Sequence, residues 1–177
     1  WFGQFVQFFT GSPYSHVGMI LRDPNFTHKK LVGLYLWESG RENFVDAEDG
    51  ESKFGVEIVD FDRMIQGTGS MNLYYRKLNF KNGKKIDEDL LNAIHNVVHN
   101  KPYDKVPRDW IEAFFNVDSD PQKTDRFWCS ALVGFIYTKL GLLPEDTDWS
   151  ILRPDFFSDQ GNCELIDAEL GPQIKLK

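Results

Sequence analysis

Apolar positions recur with two different periods along this chain, and the change of period divides it. In the first half they come in short runs with strand character: residues 15–22, 32–38, 55–60 and 71–78. Asp23-Pro24-Asn25 breaks the first run, a polar and acidic loop fills 39–54, and a helical turn is expected around Arg63–Gln66. Ahead of them, 2–10 reads as a short apolar helix capped by Gly11, with Ser12-Pro13-Tyr14 as a turn. In the second half, Ile86, Leu90, Leu91, Ile94, Val97 and Val98 follow helical spacing over 86–100, and Lys101-Pro102-Tyr103-Asp104 ends that helix. A short helix is expected over 109–116, a polar loop over 117–125 and an apolar helix over 127–140 that stops at Gly141. Residues 142–158 have no regular period, and 164–167 read as a last strand. Strands first and helices later predict an α+β fold with a mainly antiparallel sheet, in one domain over residues 1–177.

Composition narrows the function. A chain of 177 residues with 41% hydrophobic and 15% aromatic residues can bury a core. A net charge of −7 without a basic stripe argues against nucleic acid as a partner. No apolar run is long enough to span a bilayer, and no secretory signal is visible. The first residue is Trp1 and not Met, which leaves targeting open. Two cysteines, Cys129 and Cys163, make a poor disulfide framework and fit a cytoplasmic setting with reduced thiols.

Cys129 opens the predicted helix in Arg126-Phe127-Trp128-Cys129-Ser130. Unpaired N–H groups and the helix dipole at that position favour thiolate over thiol. A reactive thiol needs a base and an orienting acid, for which His16 and Glu38 are the candidates. If strands 15–22 and 32–38 form a hairpin centred on residue 27, partner numbers sum to 54 and Glu38 stands opposite His16. The Cys129 N–H is then a candidate oxyanion donor, and Tyr14, Tyr103 and Ser130 are candidates for further oxyanion or substrate contacts.

Other features read as structural. His95 and His99 lie four apart on one helix face, but the intervening Asn96-Val97-Val98 has no Glu, so the His-Glu-x-x-His motif is missing. The expectation is a partly exposed helix face, no metal and no organic cofactor. Asp46, Glu48, Asp49 and Glu51 read as a solvated loop without calcium-loop spacing. Cys163 reads as packing. Phe2, Phe5, Phe8, Phe9, Trp37, Trp110, Phe114 and Phe115 read mostly as core, with Phe8 and Phe9 as a candidate acyl-chain or membrane-surface contact.

With these residues placed, the chain resembles the permuted papain-like cysteine hydrolases of the NlpC/P60 superfamily, and within it the YiiX/YaeF-type amidase-like group, which includes poxvirus members. The likeness rests on Ser15-His16-Val17-Gly18-Met19-Ile20, Glu38, Lys101-Pro102-Tyr103-Asp104, Trp128-Cys129-Ser130-Ala131-Leu132-Val133 and Leu152-Arg153-Pro154-Asp155-Phe156. It covers residues 12–158. His16 precedes Cys129 by 113 residues, the permuted order. The resemblance implies a circularly permuted papain-like fold with Cys129 as nucleophile, His16 as base and Glu38 as orienting acid. It also implies a peptide-like or acylated small substrate. Amide cleavage leads; lipid acyl transfer or thioester cleavage is the alternative, with peripheral lipid contact, and a non-catalytic binding module is the third reading. Family members usually carry a Gly-Asp-containing strand before the histidine segment, and no such strand precedes His16 here. The 117–125 loop looks particular to this chain.

Overall fold

A computed structural model describes residues 12–40, 44–103 and 124–177. The expected helices over 2–10 and 109–116, their aromatic residues and most of the 117–125 loop lie outside the described residues. Within them the protein is mixed α/β, with three small antiparallel sheets and three α-helices. The main sheet has the order β1 (Met19–Arg22), β2 (Leu34–Gly40), β3 (Gly55–Asp60). Helix α1 (Phe61–Gly67) follows at once, its first turn capped by the Asp60 carboxylate, which accepts from the Arg63 N–H at 2.9 Å. The expected strand over 71–78 is instead two short pieces, β4 (Tyr74–Tyr75) and β5 (Leu78–Phe80). They are split at Arg76, whose guanidinium donates to the carbonyls of Phe157, Ser158, Leu170 and Gly171. Each piece pairs with a C-terminal strand, β5 with β6 (Ala168–Leu170) and β4 with β7 (Ile174–Lys175). The last strands therefore lie beyond the expected 164–167, where Asp167 adopts φ of 52° and turns the chain.

Helix α2 (Glu88–Val98) is amphipathic: Leu91, Ile94, His95 and Val98 are its buried residues, and Asp87 caps its first turn. Helix α3 (Cys129–Lys139) is different, because every residue from Cys129 to Thr138 is buried. It packs on β2 and on a 3-10 turn at Trp149–Ile151. The close approach needs Gly134, where an added Cβ would lie 2.6 Å from Leu152 Cδ1. The main core joins Trp37, Val56 and Ile58 of the sheet to α2 and α3. A smaller cluster of Leu36, Val59 and Met64 covers the other sheet face under α1.

The β1–β2 register corrects the sequence reading. Met19 pairs with Trp37 and Arg22 with Leu34, so partner numbers sum to 56, not 54. The hairpin is closed by Asp23 and Gly33, both in left-handed conformations. The Asp23 N–H donates to Gly33 O at 2.8 Å, and the Asp23 carboxylate accepts the Gly33 N–H at 2.7 Å. That closure centres the loop on residue 28. Extended along the hairpin, it puts Gly18 opposite Glu38 and makes His16 a diagonal neighbour of Glu38. A slip of two residues preserves the face, whereas a slip of one would have reversed it.

Candidate active site

The N-terminal end of α3 meets the chain just before β1. The N-cap of α3 is Trp128, which provides no side-chain hydrogen bond to the first turn. Cys129, at the first helical position, is buried. Burial disfavours its thiolate, but the charge of His16, a hydrogen bond with that imidazole, and hydrogen bonds with the backbone of Val17 and Ser130 outweigh it. The thiol is held below its ordinary range.

His16 completes the pair. Its Nε2 hydrogen-bonds Glu38 Oε2, which leaves Nδ1 as the nitrogen for the thiol. Partial desolvation opposes charge on the imidazole, yet the Glu38 carboxylate and the Cys129 thiolate outweigh it and hold the ring well above its ordinary value. The His16 side chain keeps 42% of its surface exposed while that of Glu38 keeps 7%, so the histidine edge is open and the acid is closed in. The three residues singled out from the sequence are therefore brought together, with the acid on a strand, the base just before a strand and the thiol on a helix.

The other sequence candidates divide. Ser130 Oγ donates to Leu152 O at 2.6 Å, so the hydroxyl anchors the start of α3 and the residue meets the thiol through its backbone. Tyr14 sends its hydroxyl to Asp159 Oδ1 at 3.4 Å and accepts from Gln173 Nε2 at 2.8 Å, which commits it to the C-terminal stretch. Tyr103 stacks its ring on Phe54 at 4.7 Å, and its segment bridges to Phe127. Cys129 and Cys163 are both free thiols. Burial pushes Cys163 up to about 11, in line with its reading as packing.

Sequence reasoning missed two residues here. Glu57 pairs directly with Glu38 across β2 and β3. It is buried, and neither carboxyl oxygen has a hydrogen-bond partner among the described residues. Burial and then the Glu38 charge push it up to about 8, so it is largely protonated at neutral pH. A carboxylate between Val56 and Ile58 in an apolar run was the available signal. Ser39 is the second: its buried hydroxyl donates to Phe127 O at 2.6 Å, tying the residue after Glu38 to the chain two residues before Cys129. A serine at the end of a strand carries no sequence signal for that bond.

Two expectations of solvated surface are also overturned. Asp46 and Glu48 are not a solvated pair: Asp46 is buried, and its carboxylate accepts from the Glu48 N–H at 2.7 Å and from Lys53 Nζ at 2.8 Å. His95 is not on an exposed helix face but buried between Ile94 and Val98, where its Nε2 lies 2.8 Å from Glu48 Oε2. The apolar spacing Leu91, Ile94, Val98 already contained that face, with His95 on it.

No family model matches the chain, and comparisons with curated proteins and with solved structures find no match either. Among the described residues no helix is long and apolar enough to cross a membrane.

Proposed function

We propose that the protein is a cysteine hydrolase with a circularly permuted papain-like arrangement, acting on an amide bond of a peptide-like substrate. The observation that carries this reading is the continuous chain of contacts from Cys129 through His16 to Glu38, with the thiol at an uncapped helix start. In the reaction, the Cys129 thiolate attacks the carbonyl carbon, and the electron pair moves onto the oxygen. In this reading the Cys129 N–H, at the start of the helix, donates to that oxyanion. His16 gives its proton to the leaving nitrogen as the C–N bond breaks, which releases the amine and leaves a thioester. His16, now neutral, takes a proton from water, which attacks the thioester; the acid is released and the thiolate–imidazolium pair returns. Glu38 holds the imidazole orientation and stabilises its charge throughout. No step requires a metal or an organic cofactor.

The test is alkylation by limiting iodoacetamide at pH 6, followed at each cysteine by mass spectrometry, beside a His16→Ala variant. Fast labelling of Cys129 over Cys163 that slows in the variant supports an activated pair. Slow and equal labelling, unchanged in the variant, removes the reading. A screen of peptide amides beside long-chain acyl esters and thioesters then fixes the bond: release of acid only from the lipid substrates would overturn the amide assignment.

A further inference from the structure

Three of the four histidines of this chain converge on one carboxylate, away from Cys129. His28 comes from the β1–β2 loop, Glu48 from the β2–β3 loop, and His95 and His99 from one face at the end of α2. One ligand atom from each lies within 4.8 Å of those of the other three. The three imidazoles form a nearly equilateral triangle, with ring centroids 4.7, 4.9 and 4.9 Å apart. Glu48 Oε2 lies 2.8 Å from His95 Nε2 and 3.5 Å from His99 Nδ1, and Glu48 Oε1 accepts the His28 backbone N–H at 2.7 Å.

A purely structural role accounts poorly for this set. An ion pair needs one imidazole, and three in mutual contact repel once more than one is protonated. The buried His95 ring meets Glu48 through Nε2, and its Nδ1 has no hydrogen-bond partner among the described residues. The surroundings are also built. Asp46 fixes the loop that presents Glu48, through the Glu48 and Ile58 N–H groups and Lys53 Nζ. Asn96 Oδ1 meets His28 Nε2 at 3.0 Å, and His28 is exposed enough to turn.

We propose that His28, Glu48, His95 and His99 form a binding site for a borderline transition-metal dication, with zinc as the ion of best fit. Three imidazole nitrogens and one carboxylate oxygen are a zinc donor set, and four protein ligands make a closed site of the structural kind. Bonds of about 2.1 Å in a tetrahedron put the ligand atoms about 3.4 Å apart. The ligand atoms already lie within 4.8 Å of one another, so binding asks them to close by no more than about 1.4 Å, with the exposed His28 the freest to move. The bound ion clamps the β1–β2 and β2–β3 loops to α2, and so braces the sheet that carries Glu38. This inference does not rest on the proposed hydrolase reaction.

The experiment uses tag-free full-length protein carrying Cys129→Ala, which removes the thiol as a competing ligand. After dialysis against a chelator, zinc chloride is titrated against the protein in competition with a chromophoric chelator. The same titration is run on a His28→Ala/His99→Ala variant, which leaves the buried His95 in place for folding. The expected result is one tightly bound zinc per chain, a rise in Tm on zinc addition, and affinity reduced by about 100-fold or more in the variant. Cobalt(II) in place of zinc should give the intense visible absorption of a tetrahedral site. Zinc binding no tighter than in the variant, with both proteins folded by circular dichroism, would overturn the proposal. A metal-to-protein ratio near one with unchanged affinity in the variant would overturn it as well, because the ion would then lie elsewhere.

Discussion

The protein places histidine beside glutamate at two centres, and the two differ in what surrounds the pair. At the first, a single imidazole has its Nε2 on Glu38 and its other nitrogen toward Cys129, with one edge open to solvent. At the second, three imidazoles surround Glu48, and the central one, His95, is 1% exposed. One imidazole between an acid and a thiol is an arrangement for moving a proton, because each nitrogen has a different partner. Three imidazoles about one carboxylate instead bring one ligand atom each to within 4.8 Å of the others, with no thiol among them to receive a proton. The same pair of residue types thus stands in two arrangements, one that suits the proposed proton transfer and one that suits the proposed cation ligation.

The sharpest way to break that comparison is to cross the readouts. Cys129→Ala should lower turnover of the cleaved amide by on the order of 10⁴-fold or more, while zinc affinity at the second centre is unchanged. His28→Ala should weaken zinc binding and leave the rate of Cys129 alkylation within about twofold of wild type. Loss of both properties in either variant would mean that the two centres are one cooperative unit. The next largest effect compares the two acids by the same isosteric change. Glu38→Gln removes the charge that raises His16, so the His16 value falls and the thiolate loses its counter-ion. The alkylation rate of Cys129, expected to persist well into mildly acidic pH in wild type, should then fall off at higher pH, as the thiol moves upward with a weaker counter-ion beside it. At pH 6 that is a slowing of at least about tenfold. Glu48→Gln should leave the profile in place.

Both centres were written in the sequence, but in different scripts. The first was legible because its chemistry follows local rules. Cys129 stands where the apolar period begins, and His16 and Glu38 fall in predicted strands whose pairing could be tested by arithmetic. The arithmetic missed by two residues, since nothing in Asp23-Pro24-Asn25 announces that Asp23 itself closes the hairpin on Gly33. The face survived because the error was even. The second centre was illegible for a topological reason. His95 and His99 are visible as a helix pair, but His28 and Glu48 reach them only through two loops, and a loop rich in Asp and Glu resembles a solvated one until Asp46 is seen to be buried. Glu57 was passed over because a single carboxylate in an apolar strand looks like an outward-facing residue, and β3 has no outward face from Gly55 to Val59.

Glu57 gives a smaller effect that sharpens the account of the first centre. Its folded value of about 8 lies above the ordinary 4.5, so the folded protein binds a proton that the unfolded chain has released between those limits. Stability relative to a Glu57→Gln variant is therefore highest below about pH 4.5 and lost progressively as pH rises through about 8. The measurement is Tm of both proteins across pH 4.5–9. The difference should be near zero at the acid end and grow in favour of the glutamine variant, levelling off above pH 8. A flat difference would mean that Glu57 ionises normally and that Glu38 does not share its face with a neutral acid.

The smallest effect belongs to Ser39. Its hydroxyl donates to Phe127 O and so joins β2 to the segment entering α3. Its loss in Ser39→Ala leaves a buried carbonyl with one donor fewer, at a stability cost of about 1–2 kcal/mol. If that bond only stabilises, Tm falls and the pH profile of Cys129 alkylation stays put. If it also sets the spacing between the Glu38 strand and the Cys129 helix, the alkylation rate at pH 6 falls severalfold while labelling at pH 9 stays close to wild type, because the thiol is reached as before but its imidazolium partner is displaced. We expect the second pattern. The bond lies on the short path through the fold from the acid to the thiol, two residues from Cys129 at one end and one from Glu38 at the other. Ser39→Thr, which keeps the hydroxyl, should recover most of the acidic-pH rate if its methyl fits, and the acid-to-alkaline ratio of labelling rates is the quantity that separates recovery of position from recovery of stability.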